Sequence, residues 1–375
     1  MKATRRYVAG LAAVVTTTAG LLASTGLMAG SASAGGFPPF VGPLHHTRVI
    51  ASTIPGNGDV NPYGVAVVPR STGDLHQGNV LVSNFNNKSN VQGTGTTIVQ
   101  VTPFGGVSLF AKINRHLSGC PGGVGLTTAL TTLRSGWVIV GSLPTQNGNI
   151  SGPGCLIVLD RWGHVRETFT GGGINGPWDM ATLDLGGQAV LFVTNVLNGT
   201  VAAGGKTVFG GTVLRLVVNI PAFGLPYIWF DTTIGSGFPE ALNSSALVIG
   251  PTGVGLGANQ VLYVADTLGN RIAAIPDAVF RGFSAGPGFT ISSGHHLNGP
   301  LGLVIAPNGD ILTANGGNGN LVELTPFGAQ IAVRSLDSSG GPPPGVGALF
   351  GLAVKPGHRA VYYVDDNTNT LNLLY

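Results

Sequence analysis

Charged side chains are scarce in this chain: only 9% of its 375 residues are Asp, Glu, Lys or Arg. The net charge is +3, and no Lys/Arg cluster follows the first few residues, which argues against nucleic acid as a partner. Glutamate is confined to Glu167, Glu240 and Glu323, so chemistry that needs several converging Glu carboxylates has little to draw on. Cys120 and Cys155 are the only cysteines, too few for a disulfide-stapled mini-scaffold. Long amphipathic helical patterns are also missing: beyond the N-terminus no window of about 15 residues sustains apolar spacing at i, i+3, i+4. What the chain does have is 62 Gly, 24 Pro and a 43% hydrophobic fraction. That mixture points to many short strands joined by tight turns rather than to disorder or helix.

The one long apolar run lies at the start. Lys2, Arg5 and Arg6 precede a stretch of apolar and small residues from Val8 to Met28, and Ala32-Ser33-Ala34 offers a small-residue cleavage site. This is the layout of an export signal over residues 1–34, of the general or the twin-arginine type (TRRYVA), followed by a linker over 35–45. The alternative is an uncleaved anchor, which the three consecutive Thr residues 16–18 weaken. The expectation is a secreted, periplasmic or cell-surface monomer with no membrane insertion after cleavage.

From there on one phrase recurs. NPYGVAV leads to NVLVSN, GGVGLTT (122–128) to GWVIVGS, GPWDMAT to AVLFVTN, GPTGVGL to QVLYVAD, GPLGLVI to DILTAN and LFGLAV to AVYYVDD. A third strand follows each, and usually a fourth; QVTPFGG and ELTPFGA, from units that are not neighbours, are nearly identical. The anchors Gly64, Gly125, Asp179, Gly253, Gly302 and Gly351 recur at about the 40–50 residues that a four-stranded propeller blade takes, with loop insertions in the longer intervals. The last unit stops at its third strand, and TRVIAST (47–53) is a free strand ahead of the first. Together they close a ring without open sheet edges. The predicted fold is all-β: one six-bladed β-propeller over residues 46–375, its last blade completed by the N-terminal strand.

LYVADTLGNRIAAI, with GPTGVGL and GPLGLVI as blade-opening strands, resembles the NHL-repeat signature over essentially the whole chain after the signal region. The resemblance implies a six-bladed propeller, an architecture similar to the streptogramin lyase-like and gluconolactonase-like propellers, and no activity of its own. Those enzymes use a divalent metal near the channel mouth, held or assisted by carboxylates and His. Here the inner-strand Glu of the lactonase pattern has no counterpart.

The residue ending each second strand (Asn84, Asn195, Asp266, Asn315 and Asp366, with Ser142 in blade 2) is predicted to fix the following turn by accepting its N–H groups. Arg271 is expected to pair with a carboxylate or carbonyl of a neighbouring blade. Cys120 and Cys155 are expected to form a disulfide, as suits an exported chain. Four residues are candidates for a catalytic or metal site. Asp179 stands where other blades have Gly, behind Trp178; His295 and His296 enter blade 5, and with His45-His46 they could meet over the channel mouth. Glu240 is the only Glu in a loop-face insertion. Each also has a structural reading: Asp179 pairing with a backbone N–H, and adjacent histidines pointing to opposite sides. GFSAG (282–286) matches a nucleophile motif but lies between strands, where no strand–turn–helix elbow can form.

Long connections over 85–95, 143–154, 196–210 and 231–249 elaborate one face of blades 1–3, rich in Asn, Gly, Ser and Thr. The expected function is ligand or partner binding through that face, without catalysis and without a cofactor; the partner would be a protein, peptide or polysaccharide. The alternative is a metal-dependent lyase or lactonase.

Overall fold

Runs such as Val80–Asn86 (VLVSNFN) and Val361–Asp365 (VYYVD) bury every side chain on both faces of a sheet, as β-branched and aromatic residues do in central strands. The Gly- and Asn-rich segments between them turn the chain back, so successive strands pair antiparallel. The protein is described by a computed structural model that covers residues 38–146, 148–243 and 246–375. These contain no helix; six sheets of four or five strands each form the blades of a six-bladed β-propeller. The inner strands that line the channel are Val60–Val67, Leu130–Thr132, Pro177–Asp184, Pro251–Leu256, Pro300–Ile305 and Leu349–Val354.

The ring closes as its sequence implies. Thr47–Ser52 pairs with the last strand, Thr370–Leu374, with Thr47 opposite Leu374, and His46 and Tyr375 exchange both backbone hydrogen bonds beyond it. The expected linker before it is not a linker from Pro38 onward, where the compact unit begins. Phe40, Val41 and Leu44 are buried, and the Glu323 carboxylate accepts the N–H groups of Phe40 and Val41. Apolar side chains and a buried acceptor together hold this segment down. The expected export signal lies outside the described residues.

Five inner strands share one irregularity. Register slips between Pro62 and Val65, Pro177 and Met180, Pro251 and Val254, Pro300 and Leu303, and Leu349 and Leu352. The bulge falls on Gly64, Asp179, Gly253, Gly302 and Gly351, where neighbouring blades come closest. A Cβ on Gly302 would overlap the Phe350 carbonyl oxygen, and one on Gly351 the Tyr63 carbonyl oxygen. Hydroxyls latch the blades together beside it. Ser83 Oγ accepts the Gly64 N–H at 3.0 Å and donates to the Thr127 carbonyl of the next blade at 2.6 Å. Thr194 does the same for Asp179 and the Thr252 carbonyl, at 3.1 and 2.6 Å.

Two segments differ from the sequence reading. Blade 2 has its inner strand at Leu130–Thr132, because the 122–128 stretch is tied down by the neighbouring disulfide and a single bridge from Leu126 to Leu143. The expected loop over 231–249 is largely strand: Tyr227–Asn243 continues past its blade and turns into a hairpin with Leu247–Ile249. Cys120 and Cys155 form the expected disulfide, both buried, with Cα atoms 5.4 Å apart. Such a bond is consistent with an oxidising compartment.

Gly351→Ala is expected to lower stability by about 2 kcal/mol or more, because backbone must move to admit the methyl. Gly56→Ala, with open space around it, should stay within about 0.5 kcal/mol. Urea unfolding of the two variants checks this, and equal midpoints would refute the close-approach argument. Replacing both cysteines by Ser should cost about 3–4 kcal/mol for the 35-residue separation, read the same way.

Candidate functional site

The residue just before the bulge points to the propeller axis. In blades 1, 3 and 6 it is aromatic: Tyr63, Trp178 and Phe350. The Tyr63 ring lies 5.1 Å from Phe350 and 5.9 Å from Trp178, the latter edge-on at 90°. Phe85, from the end of the second strand of blade 1, adds a ring 6.2 Å from Phe350. Trp178 Nε1 donates to Tyr63 Oη at 2.6 Å, which satisfies the one polar atom of each buried ring. These rings separate two cavities, and Tyr63 lines both.

The cavity on the face of the second-to-third strand turns measures about 430 Å³. Its floor is Tyr63, Phe85, Trp178 and Phe350; its rim includes Asn61, Thr267, Asn243 and Asp366. Asp366 Oδ2 accepts the Asn61 amide at 3.1 Å, while Oδ1 is buried and accepts nothing. Loss of water, and then the neighbouring Asp365 charge, push the Asp366 carboxyl up to about 7. Asn61 is itself constrained: its φ is +59° and its N–H donates to Asn369 Oδ1 at 2.7 Å.

The opposite cavity, about 380 Å³, is lined by the remaining inner-strand residues and by Asp179. Asp179 Oδ1 accepts the Met180 N–H at 2.8 Å, the backbone partner that the structural reading anticipated. Its side chain keeps some surface toward the channel yet sits among the inner strands. Desolvation therefore raises its carboxyl to about 7 against the pull of the Met180 and Val254 N–H groups. The nearby charge also adds to the burial that raises Tyr63 well above a normal phenol.

The other candidates do not join it. His295 and His296 are exposed beside Ser292 and Gln330, on a separate concavity of about 580 Å³. His295 occupies a turn with φ +53°, and the His296 backbone is tied to Gln330 and Asn315. His46 is pinned instead beside Tyr375, its ring 5.8 Å away, at the other end of the blades. The two His pairs thus do not meet over the mouth. Glu240 is fully buried in Tyr227–Asn243, away from both cavities. The Asn198 and Leu197 N–H groups approach it, but none closes a well-formed bond to either oxygen, and burial pushes its carboxyl up to about 7. Among the described residues no three of His, Cys, Asp or Glu stand close enough to hold a metal. The carboxylate and His set that a lyase-type or lactonase-type metal would use is not assembled.

The strand-end residues divide into kinds. Asp266 accepts the Gly269 N–H of its turn at 2.9 Å and pairs with Arg271 at 2.8 Å. Arg271 therefore stays within its own blade, also bonding Thr290 and the Pro287 carbonyl; its contact with blade 3 is the Phe238 ring, 5.7 Å away. Asn84, Asn195 and Asn315 instead bind the connection that enters their own blade, at Thr53, Asn175 and His296. Ser142 Oγ accepts the Gly125 N–H. In blade 6 the matching register position is Asp365, which accepts the Thr368 N–H, and this leaves Asp366 to the mouth. Ser284 of GFSAG bonds Ser236 Oγ in a connection without a helix.

Sequence reasoning missed the aromatic floor and the place of Asp366 on the mouth. The signal was there: aligned on the bulge, NPYG, GPWD and LFG bring Tyr63, Trp178 and Phe350 to one position.

No protein-family model and no curated protein matches the chain, so the NHL resemblance rests on the residues quoted above. Solved structures do match it in fold. A gluconolactonase from Xanthomonas campestris superposes with TM-score 0.55 at 12% identity, covering 88% of this chain and 90% of that one. A streptogramin B lyase gives 0.52 at 13%, over 88% and 97%. A calcium-binding regucalcin from Agrobacterium tumefaciens gives 0.51 at 14%, over 88% and 93%. At such identities the likeness establishes the six-bladed architecture.

The three carboxyls pushed up to about 7 make stability depend on pH. Asp179, Glu240 and Asp366 ionise near 4 in the unfolded chain and near 7 in the folded one. Between those values the folded protein holds protons that the unfolded chain has lost, so stability falls as pH rises from about 4 to about 7, then levels. Asp179→Asn should flatten part of that slope in thermal unfolding across the range. A slope identical to that of the unsubstituted protein would show that Asp179 ionises normally.

Proposed function

We propose that the protein binds a small amphipathic molecule at the loop-face mouth of its channel, with apolar or aromatic parts on the floor and a hydrogen-bond donor toward Asp366. The observation that carries this reading is the pairing of a four-aromatic floor with the Asp366 carboxylate on the rim of one cavity. Its volume of about 430 Å³ suits a small ligand, and the mixture of apolar walls with few polar groups is typical of such sites. The reading keeps binding on the loop face but moves it from the insertions of blades 1–3 to the axis.

One observation favours a second reading. A carboxyl held near 7, next to the Asn61 amide, is suited to move a proton at neutral pH. With the likeness to gluconolactonase and streptogramin lyase folds, that supports ester or lactone chemistry with Asp366 as general base. A metal is not part of either reading, because the donor set does not fit one.

A thermal-shift screen of aromatic lactones, cyclic esters and related neutral amphiphiles separates the readings. Binding without turnover, weakened about tenfold or more in Phe350→Ala and in Asp366→Ala, supports the first. Turnover that disappears in Asp366→Asn while binding persists supports the second. Ligands whose affinity ignores both residues would place the site elsewhere.

A further inference from the structure

The face opposite the mouth carries the turns between third and fourth strands, and four of these end in an aromatic–glycine pair: Phe104-Gly105, Trp162-Gly163, Phe223-Gly224 and Phe327-Gly328. Each glycine is left-handed, with φ of +92°, +79°, +112° and +90°. In blades 1, 2 and 5 the turns close identically. Gly105, Gly163 and Gly328 donate to the carbonyls of Thr102, Asp160 and Thr325, at 3.0, 3.0 and 2.8 Å. The N–H groups of those same three residues donate to Gly106, His164 and Ala329. This is the three-residue hairpin loop with a glycine bulge, and it puts the aromatic at the tip. Each of the three turns is braced from below: a Cβ on its glycine would strike the carbonyl of Ile50, Phe110 or Ile291 in the preceding blade's outer strand.

The rings themselves touch little. Phe104, Phe223 and Phe327 are 99%, 95% and 92% exposed, and Trp162 is half exposed. Blade 4 has a longer turn that puts out Phe280 and Phe283, both largely exposed, and in blade 6 the chain end presents Tyr375. Every blade thus displays an aromatic on this face. Turn chemistry favours Asp, Asn, Ser or Gly at such tips, so the fold does not require these rings. A single exposed apolar residue needs no explanation, but a repeat of it in all six blades makes a surface.

That surface is also basic. Guanidinium groups lie against its rings: Arg161 5.1 Å from Trp162, Arg281 5.3 Å from Phe283 and Arg48 5.9 Å from Tyr375. Arg70 and Arg359 stand on the adjoining turns, where Arg134 is ion-paired with Asp184 at 3.6 Å and the exposed carboxylates are Asp74 and Asp277.

We propose that this face docks on an anionic lipid surface, with the phenyl tips at the boundary of headgroups and acyl chains and the guanidiniums on lipid phosphates. Separate convex tips suit a deformable plane better than they suit a protein, which would need a matching pit for each. Aromatic tips with flanking Arg match a bilayer interface. Docking there leaves the mouth open on the other side, and the proposal does not depend on what the mouth binds.

The test uses the chain from Pro38, since that segment is one compact unit whose ring is closed by its own terminal strands. It is sedimented with vesicles of phosphatidylcholine alone or mixed with phosphatidylglycerol. Expected is binding to the mixed vesicles that weakens with salt, with a blue shift of Trp162 emission. The combined variant Phe104→Ser, Phe223→Ser, Phe327→Ser should partition about tenfold less or lower while unfolding at the same midpoint. No binding to the mixed vesicles, or equal partition of the variant, overturns the proposal. So does retention on insoluble chitin or cellulose, or self-association in sedimentation velocity, if that behaviour is lost in the same variant and vesicle binding is not.

Discussion

The whole architecture depends on how closely six inner strands can approach one axis. At the narrowest level the backbone of one blade lies against the carbonyl of the next, a contact that a side chain would block at Gly253, Gly302 and Gly351. The strands meet it by bulging there, which leaves N–H and C=O groups outside the regular ladder. Ser83 and Thr194 supply the missing partners, each spending one hydroxyl on both its own blade and the next. A ring built on backbone contacts of this kind is stiff, and stiffness is what lets side chains from distant blades form a defined site.

The same constraint explains the channel. Because the bulge turns the preceding residue toward the axis, Tyr63, Trp178 and Phe350 are driven together, and their mutual packing blocks a through-passage. Blade 3 has Asp179 where the bulge of other blades has Gly. Its side chain faces the channel, where the Met180 N–H holds it. Asp179 then reads as the accommodation of a non-glycine residue at the ring's tightest level, with a displaced pKa as the consequence of position. Perturbed carboxyls mark structural strain as readily as chemistry, and Glu240, perturbed in a place with no cavity, makes the same point.

Much of the fold was legible because repetition is a sequence property. Six recurring phrases, five of them inner strands in the structure, with a strand missing at one end and a spare one at the other, were enough for the blade count and the closure. Asp266 was legible too, since its turn is local. What the sequence concealed was convergence between blades: three aromatics separated by most of the chain, or a Glu323 that needs Phe40 and Val41 as donors. Local patterns also misassigned residues whose partners lie elsewhere. The blade 6 turn uses Asp365, and the doublet Asp365-Asp366 gives no local sign of which carboxylate faces the turn. The 231–249 segment looked like a loop because Gly235, Gly237 and Pro239 interrupt its apolar pattern, yet pairing with Val208–Asn219 holds it extended.

In the proposed site, proton binding and ligand binding would meet at Asp366. Its carboxyl stays near 7 because Oδ1 is buried without a donor while Asp365 stands beside it. On the proposed reading, a ligand that donates to the Asp366 carboxylate would favour its charged form, and hydrogen bonding to the charged form lowers a carboxyl pKa. Occupancy would then drive a proton off, and below neutral pH each bound ligand must displace one. A ligand that accepts a hydrogen bond instead would keep the proton in place. If the proposed site binds, its mouth would discriminate between donors and acceptors through the protonation of one side chain, without needing a second polar group on its aromatic floor.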